Sequence, residues 1–287
     1  MTNRTLSSRE FLEKEALSIR LGIIRAIISN RGGHIGGSLD LADMLAVVYS
    51  DFMRVDPNKP DWDKRDFMIF SKGHAGPALY SALALKGFFP VERLDNLNKT
   101  TSVLPGHCDR NKVPGVDATT GSLGQGLSIA CGVAEGAKLA GTDQRVFCVT
   151  GDGESAEGQI WEAAQFAAHY HLDNLIAFLD WNKMQIDGTN EEVMNLGDPV
   201  AKYRAFDWNA CCVKGNDVIA IQKAVAKALD EPNGKPTMIV LDTIKGEGLR
   251  CVMEMKNNHC IAFPEELHQK AMAELAELGK KLGVEVK

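Results

Sequence analysis

Leu12, Ala16, Ile19, Ile23 and Ile27 recur at intervals of three and four, the period of a helix that buries one face. Ser7 and Glu10 have the spacing of a capping box. The pattern therefore predicts a helical segment over 7–30, ended by "NRGG". Other runs are apolar nearly throughout: "FMIF" (67–70), "RVFCVT" (145–150), "LIAFLD" (175–180), "NACCV" (209–213) and "TMIVLDTI" (237–244). Strands buried on both faces read this way. Helical patterns occupy 76–86, 123–140, 156–171, 217–230 and 265–282. Alternating strands and helices predict an α/β fold, a parallel sheet with helices on both faces. No repeat, low-complexity tract or long linker divides the chain. Residues 1–287 read as one domain, with the helical segment 7–30 first and a helix over 265–282 last.

Ligands of such sheets bind beyond the carboxyl ends of the strands. The loops there are "SKGHAG", "GDGES", "WNKMQIDG" and "KGEG". All are rich in glycine or charge, so the site is expected among them.

Composition narrows the function. The 287 residues carry a net charge of -6, whereas a nucleic-acid surface needs a basic stripe. No apolar run reaches the ~18 residues of a membrane span, and the first residues lack a signal-peptide core. A cytoplasmic protein with no nucleic-acid or membrane partner is expected. The cysteines form no C-x-x-C pair and read as buried, reduced thiols. Cys211 and Cys212 should face opposite sides of their strand. Cys108 beside His107 could suggest zinc, but no further ligands follow at zinc spacing.

"GDGESA" poses a conflict. It fits the G-x-G-x-x-A dinucleotide fingerprint, with Asp180 placed as a ribose-binding acid. Yet Asp152 would then face a pyrophosphate with nothing to neutralise it. A divalent cation removes the conflict, because Mg takes one or two carboxylates together with substrate phosphates. Asn182 begins the loop after the next strand. Neighbouring parallel strands lie ~4.8 Å apart, so both side chains can reach one ion.

Gly-Asp-Gly, then 28 residues, then Asn182 matches the thiamine-diphosphate motif. Together with "RGGHIGGSLDLADMLAVVY", "FSKGHAGPALYSAL", "LPGHCD", "ATTGSLGQGLSIACGVA" and "TIKGEG", the chain resembles transketolase, specifically its N-terminal diphosphate-binding domain. The resemblance implies the thiamine-diphosphate-binding fold and the cofactors thiamine diphosphate and Mg. It implies Asp152, Asn182 and the backbone carbonyl of Met184 as Mg ligands. Gly153 would donate its amide to the diphosphate, with Lys72, His74 and Lys245 adding positive charge. Gly121, Ser122 and Leu123 would line the aminopyrimidine. His34, His107 and His259 match histidines around the thiazolium and the sugar. Imidazoles can take the C3 hydroxyl proton of a ketose and later return one near neutral pH. Glu157 matches a glutamate that links paired sites across a dimer.

The ordinary reading of a histidine in a glycine loop is a turn residue; the motif context reverses it at His34, His74 and His107. The sequence departs from the family at Ile35, where proline is common, and at Cys260, where glycine is usual. Glu154 and Glu162 read as solvated or capping acids, and His169 and His171 as surface residues. The stretch "GLSIACGVAEGAKLAG" reads as close helix packing.

Transketolases carry two further domains, one of which supplies the glutamate that protonates the aminopyrimidine. No second α/β set follows "AELAELGKKLGVEVK". The resemblance therefore implies the first subunit of a split transketolase. A separate C-terminal subunit would bring the pyrimidine and C-terminal domains, two copies with two of this chain, and the substrates would be sugars or sugar phosphates. The alternatives are a subunit of a 2-oxoacid dehydrogenase or deoxyxylulose-phosphate synthase-like enzyme, a non-catalytic cofactor-binding module, and last a NAD-binding protein.

Overall fold

A computed structural model describes residues 5–100 and 102–286. Strands β1 (Gly32–Gly33), β2 (Phe67–Phe70), β3 (Val146–Gly151), β4 (Leu175–Trp181), β5 (Asn209–Lys214), β6 (Thr237–Asp242) and β7 (Ile261–Ala262) alternate with helices. Before β3 come α1 (Arg9–Ser29), α2 (Gly36–Leu39), α3 (Ala42–Val47), α4 (Gly76–Leu85) and α5 (Gln125–Leu139). After it come α6 (Gly158–His169), α7 (Asn190–Val193), α8 (Pro199–Ala205), α9 (Val218–Asp230), α10 (Arg250–Met253) and α11 (Glu265–Lys281). β2 to β6 form one parallel sheet in the order β2-β3-β4-β6-β5.

Both faces of the sheet are buried, which explains the unbroken apolar runs. Along β3, Phe147 and Val149 join a core with α1, α3, α4 and α9, while Val146 and Cys148 join a second core with α5, α6 and α8. Side chains two apart share a face, so one strand feeds both cores. Leu12, Ala16, Ile19, Ile23 and Ile27 of α1 are all buried.

Several expectations need correction. The cap of α1 is Ser8, which accepts from the Phe11 amide at 3.2 Å; Ser7 instead bonds Asp51. The glycines after α1 do more than end it. β1 pairs antiparallel with β7, and a Cβ on Gly32 would stand 2.4 Å from the Ile261 carbonyl oxygen. Glycine is what lets the two backbones meet, and the pairing brings His34 and His259 together from opposite ends of the chain. In α5, Gly126 does pack closely, its hypothetical Cβ 2.4 Å from Ser71, but Gly132 and Gly136 face open space. Of the cysteines, Cys108, Cys131 and Cys148 are buried, whereas Cys212 and Cys260 are exposed. The buried Cys108 thiol points to the Gly73 carbonyl at 3.8 Å, and the described residues hold no group of three or more His, Cys, Asp or Glu able to bind a metal. No helix among the described residues is long and apolar enough to cross a membrane.

Candidate active site

Four loops leave the carboxyl ends of β2, β3, β4 and β6. With the segments around His34, His107 and His259 they enclose a cavity of about 350 Å³. Lys72, His74, Gly121, Leu123, Asp152, Gly153, Asn182, Met184 and Lys245 all line it, as do the three histidines. Ser122 does not; it is exposed beside the cavity. Glu157 is also outside. The short turn Gly153–Ala156 ends there, and extended backbone at Glu157 starts α6 with the side chain exposed. The exposed positions expected of Glu162, His169 and His171 are observed, but Glu154 is buried.

The imidazoles form one cluster. Ring centroids of His34 lie 5.3 Å from His74, 5.5 Å from His107 and 5.1 Å from His259, and His74 and His259 are 4.9 Å apart. Burial, then the nearby His107 and Lys245, lowers His34 to about 4. Burial, then Lys245, His34 and Lys72, lowers His259 to about 3. Burial, then Lys72 and the other three rings, depresses His74 further. His34, His74 and His259 are therefore neutral acceptors and donors at physiological pH, so His74 does not add the positive charge expected of it, because burial and Lys72 oppose its protonation.

Below the rings the charges alternate. Lys72 ion-pairs with buried Asp180. Burial alone would discharge Lys72, but Asp180, Asp40 and Asp152 more than offset it and keep the ammonium charged. Lys245 sits 3.2 Å from His259 Nδ1 and donates to the Met184 carbonyl at 3.4 Å; burial and then Lys72 lower its pKa. The Asp152 carboxylate accepts from the amides of Gly153 (2.8 Å) and Lys183 (2.7 Å) and from Asn190 (2.9 Å). Burial, then Asp180, raises its pKa, and a cation beside it would oppose that rise.

The Gly153 amide, expected to meet a diphosphate, is thus engaged by Asp152 itself. Lys183, between Asn182 and Met184, takes the left-handed conformation, φ 66°. Such a non-glycine position costs energy. A carboxylate, an amide oxygen and a backbone carbonyl make an all-oxygen donor set, which suits a hard divalent cation. Glycines also let side chains of the wall pack closely. A Cβ on Gly37 would come within 2.9 Å of Lys72 Nζ, and one on Gly121 within 3.0 Å of the His107 ring.

Two buried acids were not legible as site residues. Glu154 accepts from Ser71 Oγ, from the Gly124 amide at 2.9 Å and from the Gly151 amide at 3.0 Å, so one carboxylate ties three of the site's loops. Burial raises its pKa, and these bonds oppose the rise. Asp40 is fully buried beneath Asn182, with burial and then Asp180 raising its pKa. An acid directly after a glycine turn reads as solvated from the sequence; only the threefold donor set reveals Glu154.

The family model described as transketolase, thiamine diphosphate binding domain, matches residues 13–285. The chain is 46% identical over 268 residues to the 6-deoxy-6-sulfo-D-fructose transketolase subunit SqwG of Clostridium sp. (strain MSTE9), covering 93% of this chain and 97% of that protein. It is 37% identical to an apulose-4-phosphate transketolase subunit of Phocaeicola vulgatus (strain ATCC 8482), over 95% and 96% of the two chains. The transketolase structure from Campylobacter jejuni superposes with a TM-score of 0.87 at 30% identity, over 97% of this chain but only 44% of that one. The chain thus matches under half of a full-length transketolase yet nearly all of two proteins named as transketolase subunits. It belongs to the transketolase family, as the thiamine-diphosphate-binding subunit of a transketolase built from more than one chain.

Proposed function

We propose that the cavity holds thiamine diphosphate through Mg and that the assembled enzyme moves a two-carbon ketol unit from a ketose to an aldose. The observation that carries this reading is the single cavity shared by Asp152, Asn182, Met184, two lysines and four histidines. Asp152, Asn182 and the Met184 carbonyl would ligate Mg, with Lys72, His74 and Lys245 on the diphosphate side. Gly121 and Leu123 would flank the aminopyrimidine. When bound, the cofactor supplies the carbanion stabilisation that ketol transfer needs.

The chain's own part is proton handling and orientation. His34, His107 and His259 would surround the sugar, and the neutral rings of His34 and His259 can accept a hydroxyl proton or hydrogen-bond a hydroxyl. The lysines stay buried and offset the charge of an anionic ligand. The relatives act, by their names, on a sulfonated sugar and on a sugar phosphate. A ketose with a terminal anionic group, phosphate or sulfonate, is the substrate class we assign.

The whole chain would act as one diphosphate-binding unit in the cytoplasm. A partner subunit would supply the pyrimidine and C-terminal domains, two copies with two of this chain, and Glu157 would meet the second copy across the assembly. The exposed Ile186 and Val193 at the cavity rim fit a surface that a partner covers. Fluorescence quenching of the complex on titration with thiamine diphosphate and Mg, and separately with NAD, tests the cofactor. Quenching is expected only with thiamine diphosphate and only with Mg; quenching by NAD would overturn the reading.

A further inference from the structure

Asp40 belongs to none of the residues assigned above, yet both of its oxygens are committed. Oδ1 accepts the Gly246 amide at 2.7 Å and the Glu247 amide at 3.3 Å, in the "KGEG" loop that carries Lys245. Oδ2 accepts the side-chain amide of Asn182 at 2.9 Å. The same Asn182 nitrogen reaches Asp180 Oδ2 at 3.0 Å, and Asp180 is itself held by Lys72 and by Thr243 Oγ1 at 2.8 Å.

An asparagine side chain has one acceptor end and one donor end of nearly the same shape. What decides which end faces the cavity is what lies behind it. Here two carboxylate oxygens lie behind Asn182, and only the NH2 end can face them. The oxygen is therefore turned outward, where it meets the Met184 amide at 3.1 Å. Asp180 alone would be a weaker orienting group, because Lys72 and Thr243 already claim its oxygens. Asp40 is not ion-paired to any described residue and gives one oxygen wholly to Asn182.

We propose that Asp40 is a positioning residue for the metal: it fixes the Asn182 amide with its oxygen toward the cation and locks that ligand to the Lys245 loop. The inference rests on the reading of Asn182 as a Mg ligand. Replacement by asparagine keeps the volume but cannot accept from both sides. One end of the new amide must present NH2 either to Asn182 or to the Gly246 amide.

The test is a double-mutant cycle on the complex with its partner, reading Mg affinity by calorimetry at saturating thiamine diphosphate. Asp40→Asn is expected to weaken Mg binding about tenfold or more. In an Asn182→Ala background the same substitution should have no further effect, because the amide it orients is gone. A merely structural role would lower affinity equally in both backgrounds, and that additivity, or an unchanged affinity, would overturn the proposal. If Asn182→Ala itself left Mg affinity intact, the ligand reading would fail and the positioning role with it. Should Asp40→Asn not fold, Asp40→Ser, whose hydroxyl can still accept from Gly246, runs the same cycle with the same outcomes.

Discussion

Asp152 is a carboxylate whose charge burial opposes, and in the proposed enzyme a bound Mg would offset that cost. Losing a carboxylate ligand of a hard cation should cost about 4 kcal/mol, roughly a thousandfold in affinity. Asp152→Ala should therefore abolish Mg-dependent cofactor binding, and Asp152→Asn, which keeps an oxygen, should fall between. Calorimetry with Mg against EDTA separates the three proteins; metal-independent binding that survives Asp152→Ala would contradict the assignment. The histidines make a second prediction. His34 at about 4 and His259 at about 3 lie below the 6.5 of a free imidazole, so the unfolded chain binds protons first. Their contribution to stability is complete above about pH 6.5 and is lost as the pH falls through 6.5 toward 4 and 3. Melting temperatures of the cofactor-free protein between pH 7.5 and 4.5 should fall less steeply for His34→Asn than for the unaltered chain. Equal slopes would contradict the buried, neutral cluster.

The turns that follow β2 and β3 and the one that precedes α5 depend on one another through Glu154. Glu154→Gln keeps the shape but turns an NH2 toward a donor, either the Gly151 amide or the pair formed by Ser71 and Gly124. A buried donor left unsatisfied costs about 2 kcal/mol. Urea unfolding should show a loss of that order together with weaker cofactor binding; full stability with normal affinity would show that the three turns hold without it. At this scale the long elements were legible and the short ones were not. The five strands of the parallel sheet and the helices α1, α4, α5, α6, α9 and α11 announce themselves by period or by an unbroken apolar run. β1 and β7 have two residues each, too few for any period, and "RGG" reads as a helix stop. Their pairing is long-range, so only the fold reveals why two glycines precede His34. Ser8 took the cap expected of Ser7 because adjacent serines compete for one turn, and Asp51 claimed the other.

In the molecule as a whole, residues from positions 34 to 259 converge on one cavity. That the histidine loops and the segments of Asp152, Asn182 and Met184 would line one cavity was legible because each carries a distinctive motif, several of them directly after a strand. Asp40 and Glu154 were not, since their partners are backbone amides and neutral side chains that leave no charge pattern in the sequence. In the proposed enzyme the cavity is half of a cleft, with the aminopyrimidine-activating glutamate on a separate chain. The most direct test is the rate of ketol transfer from xylulose 5-phosphate or a sulfonated ketose, with thiamine diphosphate and Mg. It is measured for this chain alone and after mixing with the subunit that carries the pyrimidine and C-terminal domains. No turnover is expected from the chain alone, and turnover should appear on mixing; substantial turnover from the purified chain alone would contradict the split-enzyme reading.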